Sequence, residues 1–205
     1  MRTSKKVFSF TAVTALGIGL ILAGCSSGST SEPVASSAPA TDAASSPFAT
    51  TDCALAQPPV PEQSAPIDGQ ELGGVVVQLD PAGVPRVTVA ANAAAATELG
   101  SLDLVVGDGA PVALGATVEV NYCGIGLSSR TMFDSSWARG APAAFPLTPG
   151  GLIQGWTDGL PGMNVGGERL LLIPGSLGYG ATPPQGSGIE PDETLIFIVQ
   201  VTAVS

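Results

Sequence analysis

The chain has 205 residues, 44% of them hydrophobic, with 17 acidic side chains against 7 basic ones and a formal net charge of −10. Such a surface does not seek nucleic acid or anionic headgroups. The absence of any histidine excludes histidine-based triads and histidine metal sites.

Taken in order, Arg2, Lys5 and Lys6 precede an apolar run over 7–23, the layout of a signal peptide covering residues 1–24. The run ends Leu22-Ala23-Gly24-Cys25, similar to a bacterial lipobox with Cys25 as the lipidated residue. An uncleaved membrane helix is the other reading, since the run approaches the ~20 residues that span a bilayer. Ser, Gly and Thr directly after Cys25 favour lipidation, and two acyl chains anchor stably where one is marginal. This places the protein on the extracytoplasmic face of the cell membrane, held to the bilayer through Cys25. Cleavage would leave only Arg86, Arg130, Arg139 and Arg169 as basic residues, and no basic patch.

Residues 25–69 are rich in Ser, Ala, Thr and Pro and read as a disordered tether, too poor in large apolar residues to offset chain entropy. Residues 70–97 form an N-terminal extension. Val75–Leu79 reads as a strand, Asp80-Pro81-Ala82-Gly83 as a turn and Val87-Thr88-Val89 as a second strand, either an extra hairpin or a loose leader.

Residues 98–205 suffice for one domain with one core. Leu102, Leu104 and Val106 alternate before a Gly107-Asp108-Gly109 turn. Val118, Val120 and Tyr122 share one face of a strand, and Glu119, Asn121 and Cys123 the other. Glu168–Ile173 and 193–204 are further β-rich runs. Between them Leu152, Ile153, Trp156 and Leu160, at spacings of three and four, predict a short helix. So short a helix, containing Gly155, is not stable alone and must lay its apolar side on a sheet. Trp156 is then either a plain core plug or part of a site. Strands around one short helix make an α+β domain.

No P-loop lysine and no dinucleotide glycine spacing occur, and with Cys25 lipidated two cysteines cannot form a thiolate zinc site, so neither metal nor cofactor is expected. Outside the cytoplasm Cys53 and Cys123 are the only thiols left to pair, and strand parity turns Cys123 away from Tyr122, where a passing tether can reach it. Two free thiols are the alternative.

Val120-Asn121-Tyr122, Phe133-Asp134-Ser135-Ser136, Leu152-Ile153-Gln154-Gly155-Trp156, Ile173-Pro174 with Gly178-Tyr179-Gly180, and Leu195-Ile196-Phe197 follow one another in this order. Over about residues 98–205 this resembles the FKBP-type peptidyl-prolyl cis–trans isomerases. The resemblance implies an antiparallel half-barrel wrapped around the helix, and proline-containing unfolded or folding polypeptides, with FK506-like macrolides, as ligands. It implies Trp156 as floor beneath the proline ring. Tyr122, Phe133, Phe145, Leu152, Ile153 and Phe197 would form its walls, and Ile189 would approach from the loop before the last strand. The Ile153 N–H would donate to a ligand carbonyl, Tyr179 would offer its hydroxyl at the rim, and Asp134 would accept at the edge, paired with Arg139. Asp134-Ser135-Ser136 also reads as a helix cap.

The chemistry needs no nucleophile. The barrier is amide resonance, ~18–20 kcal/mol, and a twisted amide is less polar than a planar one, so a dry cup favours it. Three departures from the family pattern stand out: Ala143, two residues before Phe145, suggests a lower wall, Glu190 replaces a common proline, and 181–187 differs in detail. A non-catalytic binding or chaperone-like module is the alternative function.

Overall fold

The computed structural model describes residues 46–66 and 68–205. The expected signal peptide, the expected lipidation site Cys25 and residues 25–45 of the expected tether lie outside these.

Two antiparallel sheets are stacked. The larger contains β6 (Gly100–Val105), β7 (Thr117–Gly126), β8 (Met132–Ser135), β9 (Ala143–Pro146), β10 (Glu168–Ile173) and β11 (Leu195–Val204). Its order is β6-β10-β11-β7-β8, and β9 pairs with the first half of β7. Registers Val199↔Tyr122, Val201↔Val120 and Leu171↔Phe197 set these side chains on one face. That concave face holds Val118, Val120, Tyr122, Leu171, Ile173 and Phe197 around α2 (Gln154–Gly159). The fold is thus the α+β, FKBP-like half-barrel.

The helix is shorter than the spacing suggested. Leu152 and Ile153 precede it, with Ile153 extended at the N-cap (φ −59°, ψ 143°) and accepting from the Trp156 N–H at 3.0 Å. Gly155 has a packing reason: a Cβ there would lie 2.4 Å from Cγ2 of Ile173, so only glycine lets the helix rest on β10. A second helical turn not foreseen, α1 (Ser136–Arg139), follows β8. Ser135 caps it, its Oγ accepting from the Ala138 N–H at 3.2 Å. The chain after Asp134 is therefore a cap. The strand expected through Val106 stops at Val105, and Val106 is 81% exposed.

The opposite face of the large sheet is equally apolar, carrying Cys123, Ile125, Leu170, Leu172, Ile196 and Ile198. It packs against Val75, Val77, Val87 and Val89 of the second sheet. That sheet contains β1 (Phe48–Asp52), β2 (Val60–Glu62), β3 (Gln70–Leu72), β4 (Val75–Leu79) and β5 (Pro85–Ala90), in the order β2-β1-β5-β4-β3. Burying a side chain of this kind contributes about 1.5–3 kcal/mol.

One correction follows for the first hundred residues, and it concerns the tether. The extension over 70–97 is a three-stranded part of a sheet, with its β4–β5 turn closed by Asp80 Oδ1 accepting the Ala82 and Val84 N–H groups, both at 2.8 Å. The disordered tether, expected to reach residue 69, does not: β1 and β2 lie within it. β1 pairs with β5 along its whole length, and the Thr50 and Thr88 hydroxyls bond at 2.8 Å. Strand preference depends on neighbours more than on composition, and a Ser/Ala/Pro background hides so short a strand. Cys53 follows directly and is bonded to Cys123, with the Cα atoms 5.8 Å apart.

Candidate active site

Where the concave face is left uncovered by α2, a cavity of about 640 Å³ opens. Trp156, buried, forms its floor. Three rings meet the indole nearly perpendicular: Tyr122 at 5.5 Å, Phe145 at 5.3 Å and Phe197 at 5.3 Å between centroids. Phe133 stands edge-on to Phe197 at 5.5 Å. Edge-to-face pairs add about 0.5–1.5 kcal/mol each beyond their burial, and these five rings come from β7, β8, β9, α2 and β11. The cup is therefore assembled only when sheet and helix close together. Gly124, paired with Phe197 across the strands, makes the space: a Cβ would sit 2.6 Å from the Phe133 ring and 2.9 Å from Phe197.

One side of the rim is polar. Tyr122 donates its hydroxyl proton to Asp134 Oδ2 at 2.5 Å, and Arg139 donates to the same phenol oxygen at 2.8 Å. Arg139 also forms an ion pair with Asp134. With both of these side chains nearly half exposed, the pair orients the phenol more than it stabilises the fold. Burial, followed by the bond to Asp134, raises the Tyr122 pKa above its ordinary value. The bond to Tyr122 is the main cause that raises that of Arg139.

The other side of the rim is backbone and loop. Among the described residues no acceptor is bonded to the Ile153 N–H. Tyr179 follows a 3₁₀ turn at Gly175–Leu177, is 37% exposed, and has its pKa raised by burial and then by the charge of Asp134. The loop that carries Ile189 is tied down by Glu193, whose carboxylate accepts from the N–H groups of Ser128, Ser129 and Glu190 and from the Ser128 hydroxyl. Burial pushes the Glu193 pKa up, but those hydrogen bonds outweigh it and the net shift is downward.

Tyr122, Phe133, Asp134, Phe145, Leu152 and Ile153 all line the cavity, as do Trp156, Tyr179, Ile189 and Phe197. Arg139 does not; it grips Asp134 and Tyr122 from behind the rim. Gln154, Pro184 and Ser187 line it without having been singled out. Pro184 and Ser187 belong to the 181–187 segment noted only for departing from the family pattern. Ala143 pairs with Val120 and packs on the core rather than forming a cavity wall.

A half-barrel closed on one helix, with a cup of five aromatic rings and a phenol–carboxylate rim, defines the class, and comparison with known proteins agrees. The family FKBP-type peptidyl-prolyl cis-trans isomerase matches residues 109–202. An FK506-binding protein of Streptomyces anulatus is 45% identical over 107 residues, covering 52% of this chain and 86% of the relative. A probable FK506-binding protein of Corynebacterium glutamicum is 47% identical over 100 residues, covering 48% and 80%. A crystal structure of a peptidyl-prolyl cis-trans isomerase from Pseudomonas syringae has a TM-score of 0.47 at 32% identity, covering 52% of this chain and 75% of that one. The chain belongs to the FKBP-type peptidyl-prolyl cis–trans isomerases.

Proposed function

We propose that the cup receives the proline ring of X–Pro bonds in polypeptides outside the cytoplasmic membrane and assists their folding. The observation that carries this reading is Trp156 as floor with three rings edge-on to it, beside a backbone N–H at Ile153 that has no acceptor among the described residues. Trp156, Phe145 and Phe197 hold the ring by burial. The Ile153 N–H donates to a substrate carbonyl and fixes its position. The Tyr179 hydroxyl donates from the loop over the rim, while Asp134 orients Tyr122 and accepts from the substrate.

With one carbonyl anchored and the proline ring buried, the amide between them is free to twist. Its loss of polarity on twisting suits an apolar cup better than water, so the barrier of ~18–20 kcal/mol falls. Each 1.36 kcal/mol removed is tenfold in rate. FK506-like macrolides are proposed as competing ligands of the same cup.

Lipid attachment at Cys25 is proposed from the lipobox, and the Cys53–Cys123 disulfide supports an oxidising, extracytoplasmic setting. The function is tested by NMR exchange on X–Pro peptides with the purified chain. Uncatalysed exchange takes tens to hundreds of seconds, so acceleration is readily visible. An unchanged rate across a panel of peptides rejects the reading. Replacing Cys25 by Ala should leave the protein uncleaved or released, read by detergent partitioning together with the mass of the chain; unchanged partitioning with an intact leader would mean that the apolar run over 7–23 acts as a membrane helix instead.

A further inference from the structure

Beside the cup runs a second groove of about 510 Å³, sharing Phe133 and Asp134 with it. Its near wall is Met132 and Ala138, from β8 and α1. Its far wall does not belong to the half-barrel: Ala56-Gln57-Pro58-Pro59, the link between β1 and β2, provides it. This link lies outside the segment that matches the family.

The far wall is fixed in place by its neighbours. Cys53, three residues before Ala56, is bonded to Cys123 of β7, and its carbonyl accepts from the Ser135 hydroxyl at 2.6 Å. Ser135 is also the cap of α1, so one residue holds both walls. Pro58 and Pro59 have fixed φ and no N–H, which makes the wall stiff and its bonding needs small. Leu55 and Val60 flank it in sequence at 45% and 55% exposure, two of the six exposed large apolar side chains among the described residues.

We propose that this groove extends the substrate site and holds the part of the polypeptide that flanks the isomerised proline, a stretch with apolar side chains. The argument for this occupant is continuity: Phe133 and Asp134 form a wall of both concavities. A chain leaving the cup over the Asp134 rim enters the groove directly. The rim it crosses is a neutralised Asp134–Arg139 pair, which suits an uncharged segment. A rigid wall lowers the ordering cost of binding an extended chain. The N-terminal sheet thereby selects substrates by what surrounds the proline. The inference rests on the reading that the cup binds X–Pro.

The test uses the full chain and two peptides with the same X–Pro core, one a tetrapeptide and one lengthened on both sides by Leu, Val and Phe residues. Fluorescence anisotropy gives Kd and NMR gives the exchange rate. The longer peptide should bind about tenfold more tightly. Pro58→Asp and Ala138→Gln, from opposite walls, should each remove most of that advantage while leaving tetrapeptide exchange within about twofold. Equal affinity for the two peptides, or an unchanged long-peptide Kd in both variants, overturns the groove. Preference for the long peptide without catalysis of either overturns the isomerase reading and supports the groove. Failure of both peptides to bind overturns both.

Discussion

Trp156 meets three rings edge-on, so the plane of its indole decides what can lie on the cup floor. Trp156→Leu should lower kcat/KM for X–Pro exchange by roughly tenfold or more, because a displaced ring loses its near-attack position. The same change should cost about 2–4 kcal/mol of stability through the void it leaves. Trp156→Phe should be milder, since it retains a ring and removes an indole N–H that has no acceptor among the described residues. Thermal unfolding beside the exchange assay separates the two effects. The pH profile follows from the phenols. Tyr122 and Tyr179 both have pKa values raised above 10.0, so they keep their protons through neutral pH. Exchange should be flat from about pH 6 to 9 and decline only above the ordinary phenol range. A step near neutrality would contradict this assignment of donors. Glu168, remote from the cup, is shifted in the same direction but into the neutral range. It is 1% exposed, and burial, then the charge of Asp80, pushes its pKa up from 4.5 to about 8. The folded state then binds a proton that the unfolded chain releases, so this group's contribution to stability is greatest at low pH and is lost as pH rises through that window. Glu168→Gln should stabilise the protein by about 1–3 kcal/mol above pH 8, with the gain vanishing near pH 4.

The long antiparallel strands were legible as elements because their periodicity is their burial. Val75–Leu79 and Glu168–Ile173 have the bounds that their sequences suggest. The alternation of Val118, Val120 and Tyr122 placed Cys123 on the opposite face, which is where its partner Cys53 reaches it. Helix α2 was less legible. Leu152 and Ile153 continue a helical spacing, yet they line the cup from an extended approach, because turn geometry at Pro149-Gly150-Gly151 and ligand-facing positions leave no periodic mark. Glu193 shows the same limit: a carboxylate before an apolar strand reads as surface, but this one accepts four hydrogen bonds and ties the loop of Ile189 to the β7–β8 turn. Glu193→Ala should leave several of those donors unpaired. We expect a loss of about 2–4 kcal/mol and a larger rise in KM than fall in kcat, because Ile189 bounds the cup without setting its floor. Equal effects on both parameters would place Glu193 in the chemistry instead.

At the scale of the molecule, the family segment at 109–202 is only part of what folds as a unit. A sheet with one wet face alternates apolar and polar residues, whereas Leu170-Leu171-Leu172-Ile173 and Leu195-Ile196-Phe197-Ile198-Val199 are apolar throughout, the pattern of strands covered on both sides. That run was a visible signal of a second layer, and the weak strands of residues 46–97 supply it. The disulfide ties the layers across a sequence separation of 70, for which the chain-entropy model gives roughly 4 kcal/mol. Reduction should therefore lower Tm while leaving the cup's own residues joined by their sheet. Removing the layer is a more severe change. A fragment beginning at residue 98 keeps every residue of the cup but uncovers Ile125, Leu170, Leu172, Ile196 and Ile198 together, with Cys123 beside them. A contiguous apolar face on one side of a sheet exceeds what soluble monomers normally expose, and its loss of cover withdraws about 1.5–3 kcal/mol for each large side chain re-exposed. Against a total stability of about 5–15 kcal/mol, the deficit is decisive. The fragment should be aggregated or largely unfolded when expressed alone, by size-exclusion chromatography and circular dichroism, while a chain beginning at residue 46 should be monomeric and active. A soluble, fully active fragment from residue 98 would show that the half-barrel is self-sufficient and that the second sheet serves the substrate alone.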